Sequence, residues 1–431
     1  MSGAGGGTSK GSVGKFYHLR DFGEALTKYD VEYKLVRETD YVVGFPTKQL
    51  RKYFSSKKKF QTLISDFNPD AVLVDRQSNF GLEVIKAGIP LFVILRGHHW
   101  SELEFAKETI YKNPLMRKIV DLRGKIAEKV FAGATAILPI CNYLIDIVKE
   151  HHPQQSIEVF VEGIDSSKWY KVDGMELKHP CVGLLQDANW WRKTREMLTL
   201  EKVIEKMPEI NFYWVGDGQY KDKILSVLEK FDNFHWLGSL QYPDKVREYL
   251  TEIDVYALIT GMDLAPLSLK EAQLMEKPVV ATNVGGNPEM MVDGKTGFLV
   301  EEGNADDLFE KLTILFENKE MSVENGSNGR KFIEEKFSMD ASAKNFIRIL
   351  DSYIGDMPIE EIHMGTLQPY MKARKKAGVK SGSVSRELAV VRRILTLAAR
   401  VWRDENNKPW IDTAPLLELP NCGRMPQNLI L

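Results

Sequence analysis

The chain has 431 residues, of which 43% are hydrophobic and 27% charged, with a formal net charge of −2. That is length for two or three domains with ordinary cores, and it excludes a global bias toward nucleic acid or membrane. Cys141, Cys181 and Cys422 are scattered without metal-ligand spacing or a disulfide framework, no run of about 18 apolar residues occurs, and the N-terminus is polar; a cytoplasmic protein in a reducing compartment is expected.

Residues 1–15 are Gly-rich and read as a flexible arm or linker, followed by a helix over Phe16–Lys28. Tyr29–Val36 and Tyr41–Gly44 read as extended. Gln49–Asp66 is a basic stretch: a solvated helix face, or a contact with an anionic acceptor or a peripheral membrane surface. Asp70–Asp75 and Pro90–Leu95 are apolar runs read as strands, with a helix over Asn79–Gly88 between them. Arg96, Gly97, His98, His99 and Trp100 follow the second strand directly. Glu102–Phe131 reads as one long helical region, Ala134–Pro139 as a strand and Cys141–Glu150 as a helix. Ser156–Val161 then leads into a turn, Glu162-Gly163-Ile164-Asp165.

A second domain begins near Pro180. Cys181–Leu185 is a strand, followed by a loop that ends in Arg192 and Lys193, and then by a helix over Glu196–Glu205. Asn211–Val215 is a strand ending in the tight turn Gly216-Asp217-Gly218. A helix over Tyr220–Lys230, a strand over Phe234–Leu237 and a helix over Pro243–Thr251 follow. Val255–Ile259 is a buried strand, and after Thr260-Gly261-Met262-Asp263 a helix runs from Pro266 through Leu267–Met275. Pro suits the first position of a helix, where a missing N–H costs nothing. Pro278–Thr282 is the next strand. Gly285-Gly286 marks a loop with unusual backbone angles or a close approach, and Pro288-Glu289-Met290 starts another helix. Helices over Asp306–Phe316, Gly329–Phe337 and Met339–Tyr353 complete this part.

Strand, loop and helix in repetition is the doubly wound α/β arrangement, in which ligands bind outside the carboxyl ends of the strands. The loops at 260–265 and 283–287 lie at that edge. The helix that starts near Pro266 directs free N–H groups outward there, which suits a phosphate.

The stretch Asp263, seven residues, Glu271-Ala272, then Lys277-Pro278-Val279-Val280-Ala281, Gly285-Gly286-Asn287-Pro288-Glu289 and Asp293-Gly294-Lys295-Thr296-Gly297 resembles the signature of retaining, nucleotide-sugar-dependent glycosyltransferases of the GT-B fold (family four, glycosyl transferases group 1). The likeness extends over about 13–354. It implies two doubly wound, Rossmann-like domains in GT-B arrangement with a cleft between them: 1–165 on the acceptor side, 166–338 binding the donor, and 339–355 as a crossing C-terminal helix. By this resemblance Glu271 holds the ribose hydroxyls of a nucleotide-diphosphate sugar and Asp263 the donor sugar. Arg192, Lys193 and the backbone around Gly216, Asp217, Leu264, Ala265, Gly285 and Gly286 would receive the rest of the donor. A His after the second strand lines the reaction site in the family; Arg96 stands closest here, with His98 and His99 beyond it as the counterparts. The family needs no metal and no further cofactor. The acceptor is a saccharide, a lipid-linked molecule or a small molecule.

Several positions depart from the family pattern. Asp263 replaces the usual Glu, Pro266 stands where Gly is common, and Glu276 replaces the Gly before Lys277-Pro278. Leu184 fills the position of a diphosphate-binding Arg, and Glu162 that of an Asn. Relatives also begin with a buried strand before a Gly-rich loop. If 1–15 is that loop, the first sheet is expected to lack a strand.

The character changes near Ile354–Pro358. Residues 356–431 carry twelve Lys or Arg against eight Asp or Glu, and helices are read over Leu367–Ala377 and Ser383–Val401. The segment 358–420 resembles the core-binding (SAM-like) domain of phage-type tyrosine recombinases, through an Arg-Lys-x-Gly-Val-type turn, Ser383–Arg393 and Pro409–Pro415. A small all-α module after the two α/β domains is thus expected. The catalytic residues of that family have no counterpart here, so the resemblance implies weak DNA contact at most, through Lys375, Lys376, Arg386, Arg392 and Arg393, or a passenger. The function expected is transfer of a sugar with retention. The alternatives are a DNA-binding protein acting through 358–420 and a transferase-like fold without activity.

Overall fold

The computed structural model describes residues 11–29, 31–44, 50–109, 111, 113–351, 359, 362–364, 367, 371, 374, 379, 381–417 and 428–430. The start of the Gly-rich arm, the change of character at 354–358 and most of the expected 367–377 helix lie outside these residues. Among the described residues there are eleven strands: β1 Glu32–Lys34, β2 Pro69–Val74, β3 Leu91–Leu95, β4 Ala136–Pro139, β5 Cys181–Leu185, β6 Asn211–Val215, β7 Phe234–Gly238, β8 Val255–Leu258, β9 Val279–Thr282, β10 Gly297–Val300 and β11 Asn428–Ile430. They form two parallel sheets, ordered β1-β11-β2-β3-β4 and β10-β9-β8-β5-β6-β7. The chain divides into two compact units, one within 1–139, 145–160 and 343–431, the other 140–144 and 161–342.

In the first unit, β2, β3 and β4 are runs without a polar face, and Val72, Val93, Ile94, Ile137 and Leu138 are fully buried. Such runs are what a parallel sheet covered on both sides requires. Phe22, Phe92 and Phe346 meet edge to face at 5.6–5.8 Å. Phe346 comes from the helix Met339–Asp351, and so ties that helix into this unit.

The described part of 356–431 belongs to the first unit and does not form a unit of its own. It has a small core in which Ile362, Leu367 and Ile411 pack with Val384, Leu388, Val391, Leu395 and Ala398 of the helix Ser381–Arg400. It is also bonded to the rest of the unit. Ser383 Oγ and Arg386 donate to the carbonyl of Gly88 at 2.6 and 3.1 Å. β11 pairs in parallel with β1 on one side and β2 on the other. The place that the first strand takes in a doubly wound sheet is therefore filled from the other end of the chain, and the expected gap is absent.

Three other expectations change. The 102–131 region is two helices, His99–Thr109 and Pro114–Gly133. Asn113 caps the second through a bond from Leu115 N at 2.9 Å, with Pro114 at the first position, which is a start signal inside an otherwise helical pattern. Tyr41, the first residue of the expected extended segment Tyr41–Gly44, instead ends a short helix, Glu38–Tyr41. Its buried Glu38 accepts a hydrogen bond from Ser78 Oγ, a tertiary contact that local propensity cannot show. Pro288 sits in a single 3₁₀ turn, Asn287–Glu289, rather than a new helix.

In the second unit, counted from β5, the strand order is 3-2-1-4-5-6 reversed. This is the doubly wound dinucleotide-type sheet, and its topological switch point lies between β5 and β8. The core takes Val182 and Leu184 of β5, Phe212 and Trp214 of β6, Val255 and Ala257 of β8 and Val280 of β9. The parallel sheet therefore places the loops after β5 and β8 side by side at the switch point.

Candidate active site

Four loops meet at the carboxyl edge of the second sheet, and backbone hydrogen bonds hold them together. After β5, Gln186 N donates to Val215 O at 3.2 Å and Ala188 N to Asp217 O at 3.0 Å. After β6, Gly216 N donates to Gly238 O at 2.9 Å. After β8, Gly261 N donates to Lys193 O at 3.1 Å, and Gly286 N, after β9, donates to Asp263 O at 2.9 Å. Gly285 has φ +56, and a Cβ there would lie 2.0 Å from Asp263 O. A Cβ on Gly286 would lie 1.7 Å from Leu264 O. Two glycines in succession are thus what lets the 285–286 loop lie against the 263–264 backbone.

The side chains follow from this frame. Lys193 Nζ and Asp263 Oδ2 form an ion pair at 2.6 Å across the switch point, with 24% and 15% of the side chains exposed. Burial lowers the Lys193 ammonium, but the carboxylates of Asp263 and Asp187 outweigh it and hold the group above its ordinary value. The other oxygen of Asp263 accepts from Leu264 N at 3.0 Å. Leu264 and Ala265 are buried, Arg192 is exposed, and Asp217 accepts from Gly218 N at 2.8 Å. That backbone bond, together with Lys221, keeps the Asp217 carboxyl below the usual range.

The helix Leu267–Leu274 starts from Pro266 without a side-chain cap. Pro266 is the residue before the helix, not its first residue. Glu271 stands on this helix, 3% exposed, and Tyr242 Oη donates to its Oε1 at 3.1 Å. Burial pushes its carboxyl up to about 7, against the opposing pull of Tyr242 and Lys270. A buried carboxyl held near neutrality at this edge of the sheet makes Glu271 a candidate site residue. The neighbouring Tyr256 hydroxyl bonds Ser268 Oγ at 2.8 Å and so fixes the first turn of the helix to β8.

Several residues here were not read as functional from the sequence. Gln186 Nε2 donates to Ile259 O at 3.0 Å and locks the ends of β5 and β8 together, while its buried Oε1 has no hydrogen-bond partner among the described residues. Glu289 accepts from the backbone amides of Asn142 and Tyr143 at 2.8 and 3.0 Å and from Asn142 Nδ2 at 2.7 Å. Lys270 is fully buried, donates to Glu162 O at 2.8 Å and lies over the Phe337 ring at 4.9 Å. For Glu289 and Lys270 the sequence signal was membership of the motif that carries Asp263 and Glu271; Gln186, directly after β5, had none. Leu184 is fully buried in the core and offers no donor at the edge.

His98 and His99 lie in the first unit. His98 precedes the helix His99–Thr109, and its Nδ1 accepts from Ser101 N at 3.3 Å. His99 packs edge to face on Phe131 at 5.5 Å and Trp100 at 5.7 Å. Burial lowers it to about 4, so it is neutral at physiological pH. Beside them the buried pair Arg96–Asp75 joins the ends of β3 and β2. Of the residues considered for DNA contact, Arg386 is bonded to Gly88 O, Arg392 and Arg393 are half-buried, and Lys375 and Lys376 lie outside the described residues. No described helix is long and apolar enough to cross a membrane.

Residues 185–318 match the family of glycosyl transferases group 1. The match begins at the end of β5 and takes in all four loops. Among curated proteins, the chain is 27% identical over 153 residues to the poly(ribitol-phosphate) alpha-N-acetylglucosaminyltransferase of Staphylococcus aureus, over 35% of this chain and 31% of that enzyme. The chain thus spans about a third of that relative's length. Among solved structures, sucrose-phosphate synthase from Thermosynechococcus elongatus superposes with a TM-score of 0.63 at 15% identity, over 78% of this chain and 93% of that one. Anabaena HepE, solved with UDP and glucose, superposes with a TM-score of 0.57 at 14% identity, over 79% and 96%. These likenesses show the fold: GT-B, with two Rossmann-like α/β domains.

Proposed function

We propose that the protein is a glycosyltransferase that moves a sugar from a nucleotide-diphosphate sugar to an acceptor hydroxyl with retention of anomeric configuration. The observation that carries this is the placement of Lys193, Asp263 and Glu271 on the elements that follow β5 and β8 at the switch point of the second sheet, within the matched family region. Glu271 accepts the ribose hydroxyls. A carboxylate that accepts two hydrogen bonds from a diol gains donors that favour its ionised form, so binding draws its proton off. The uncapped N–H groups at Leu267–Leu269 and the cations of Arg192 and Lys193 meet the diphosphate. Transfer passes through an oxocarbenium-like state, as glycoside cleavage does, and the leaving diphosphate needs fixed donors that are in place before charge develops. Lys193 is in place, because Asp263 holds it. Asp263, in turn, faces the donor sugar with a carboxylate whose position the Leu264 amide fixes.

The chemistry asks for no metal, since these donors carry the leaving charge. The leaving phosphate itself takes the acceptor's proton. A UDP-sugar is the first donor to offer, because HepE is a solved likeness that holds UDP. The experiment is to incubate the full chain with UDP-glucose or UDP-N-acetylglucosamine and a panel of saccharide and polyol acceptors, and to read the anomeric linkage of the product by NMR. An α-linked product from these α-donors supports retention, and a β-linked product refutes it. Donor binding without transfer to any acceptor or to water would instead support the transferase-like fold without activity.

A further inference from the structure

The same two strands that make the switch point, β5 and β8, carry a second cluster at their opposite, amino-terminal ends. His179 precedes β5, Cys181 opens it, and Asp254 stands directly before β8. Because β5 and β8 are paired, residues that are far apart in sequence arrive together. His179 Nδ1, Cys181 Sγ and an Asp254 carboxylate oxygen all lie within 4.8 Å of one another. Nδ1 is 2.8 Å from Asp254 Oδ2 and 3.9 Å from Cys181 Sγ. We propose that His179, Cys181 and Asp254 form a binding site for a divalent transition-metal ion of the zinc type.

Three features of the cluster support this. First, the donor set of imidazole nitrogen, thiol sulfur and carboxylate oxygen is that of zinc, not of calcium or magnesium, which take oxygen ligands. Second, the spacing is close to what a tetrahedral ion needs. Metal–ligand lengths of about 2.0–2.3 Å put neighbouring ligand atoms roughly 3.3–3.6 Å apart. The nitrogen–sulfur separation must close by a few tenths of an ångström and the nitrogen–oxygen separation must open by about half an ångström, both within side-chain rotation. Third, the outer groups are in place. His179 Nε2 is 2.8 Å from Glu252 Oε1, which leaves Nδ1 as the nitrogen turned to the cluster. A carboxylate behind a ligating imidazole is the arrangement that fixes the tautomer and orients the ring. The Cys181 amide donates to Asp254 Oδ2 at 2.8 Å and holds the third ligand. Cys181 is fully buried while His179 and Asp254 are each 40% exposed, so an ion would enter from the solvent side and keep a water as its fourth ligand. Lys277 is the nearby cation, and it donates to Thr251 O at 2.8 Å.

Such an ion would clasp the start of β5 to the start of β8, at the far end of the strands whose carboxyl ends form the donor site. It takes no part in sugar transfer. The competing arrangement is an imidazolium bridging Asp254 and Glu252 with no metal.

The test is titration of the reduced full-length chain with Co²⁺ alone, followed by absorbance, with Zn²⁺ then added as competitor. One equivalent of cobalt is expected to give visible bands of tetrahedral intensity and a near-ultraviolet thiolate-to-cobalt charge-transfer band, both erased by zinc. Cys181→Ser, nearly isosteric and thus expected to fold, abolishes the charge-transfer band, whereas Cys141→Ser keeps it. Asp254→Asn weakens binding, and Glu252→Gln weakens it by about 10-fold or more while the band remains. A circular-dichroism melt of each variant shows that it is folded. Absence of a thiolate band in the folded wild-type chain, or its persistence in Cys181→Ser, overturns the proposal and leaves the imidazolium bridge as the account of the cluster.

Discussion

Replacing Glu271 by Gln separates a carboxylate kept for a ligand from one kept for stability. The ordinary value of the group is 4.5 and burial raises it to about 7 in the folded chain. Between those values the folded state holds more protons than the unfolded state, so stability falls as pH rises through that window. The favourable contribution is complete below about pH 4.5 and gone above about pH 7. Raising a carboxyl this far corresponds to about 3 kcal/mol. Gln keeps the shape and removes the charge. It weakens the bond from Tyr242, worth about 1 kcal/mol, so the variant should be more stable than wild type by about 2 kcal/mol at pH 8 and less stable by about 1 kcal/mol at pH 4.5. Glu38 is also raised to about 7 by burial, so the wild-type slope contains both groups, and the difference between the two proteins isolates Glu271. The assay is thermal unfolding from pH 4.5 to 8.5, where the gain at pH 8 amounts to roughly 5 °C for a unit of this size. The same variant should lose the stabilisation given by a nucleotide sugar. A variant less stable than wild type at pH 8 would refute the reasoning, because Glu271 would then be a structural acceptor.

Gly286→Ala sets a methyl 1.7 Å from Leu264 O; the loop must move, at about 1–3 kcal/mol, and donor affinity measured by calorimetry should fall at least 10-fold. Lys193→Met leaves Asp263 without its 2.6 Å partner. With both groups partly exposed, the cost should be about 2 kcal/mol rather than the 3–5 kcal/mol of a fully buried pair. Adding Asp263→Asn should recover more than half of that stability in a double-mutant cycle without recovering transfer. Deleting 426–431 removes β11 from between β1 and β2, with a loss on the order of 3 kcal/mol from its backbone pairing. Hydrogen exchange should quicken at Glu32–Lys34 and Pro69–Val74 while β5–β10 keep their protection.

The second sheet was legible because its strands are uninterrupted apolar runs and its loops carry Gly and Pro where the backbone has no other choice. Cys181–Leu185 and Asn211–Val215 appear with the bounds read from sequence. What was not legible depended on distant partners. Asn325, Gly326 and Gly329 look like helix breakers, yet Lys319–Lys336 is one helix. Gly326 is what lets it approach Glu276, whose carbonyl would lie 2.1 Å from a Cβ there. Glu289 looked like the start of a helix and instead binds two amides some 146 residues earlier in the chain. The slot filled by β11 is beyond local pattern altogether, since three residues near position 430 carry no signal of where they pair. The cluster of His179, Cys181 and Asp254 escaped for the same reason: its spacing exists only across the β5–β8 pair. Glu271 and Asp263 were found through the motif. The contacts that hold them, from Tyr242 and Lys193, exist only in the folded chain.

The most direct test of the central claim is calorimetric titration of the full chain with UDP-, GDP- and ADP-sugars, with Glu271→Gln measured beside it at the same pH. Saturable binding of one nucleotide class, weakened at least 10-fold in a variant that melts no lower than wild type, is the predicted result. A folded wild-type chain that binds none of them, or a variant that binds as tightly as wild type, would contradict the donor site placed at the switch point of β5 and β8.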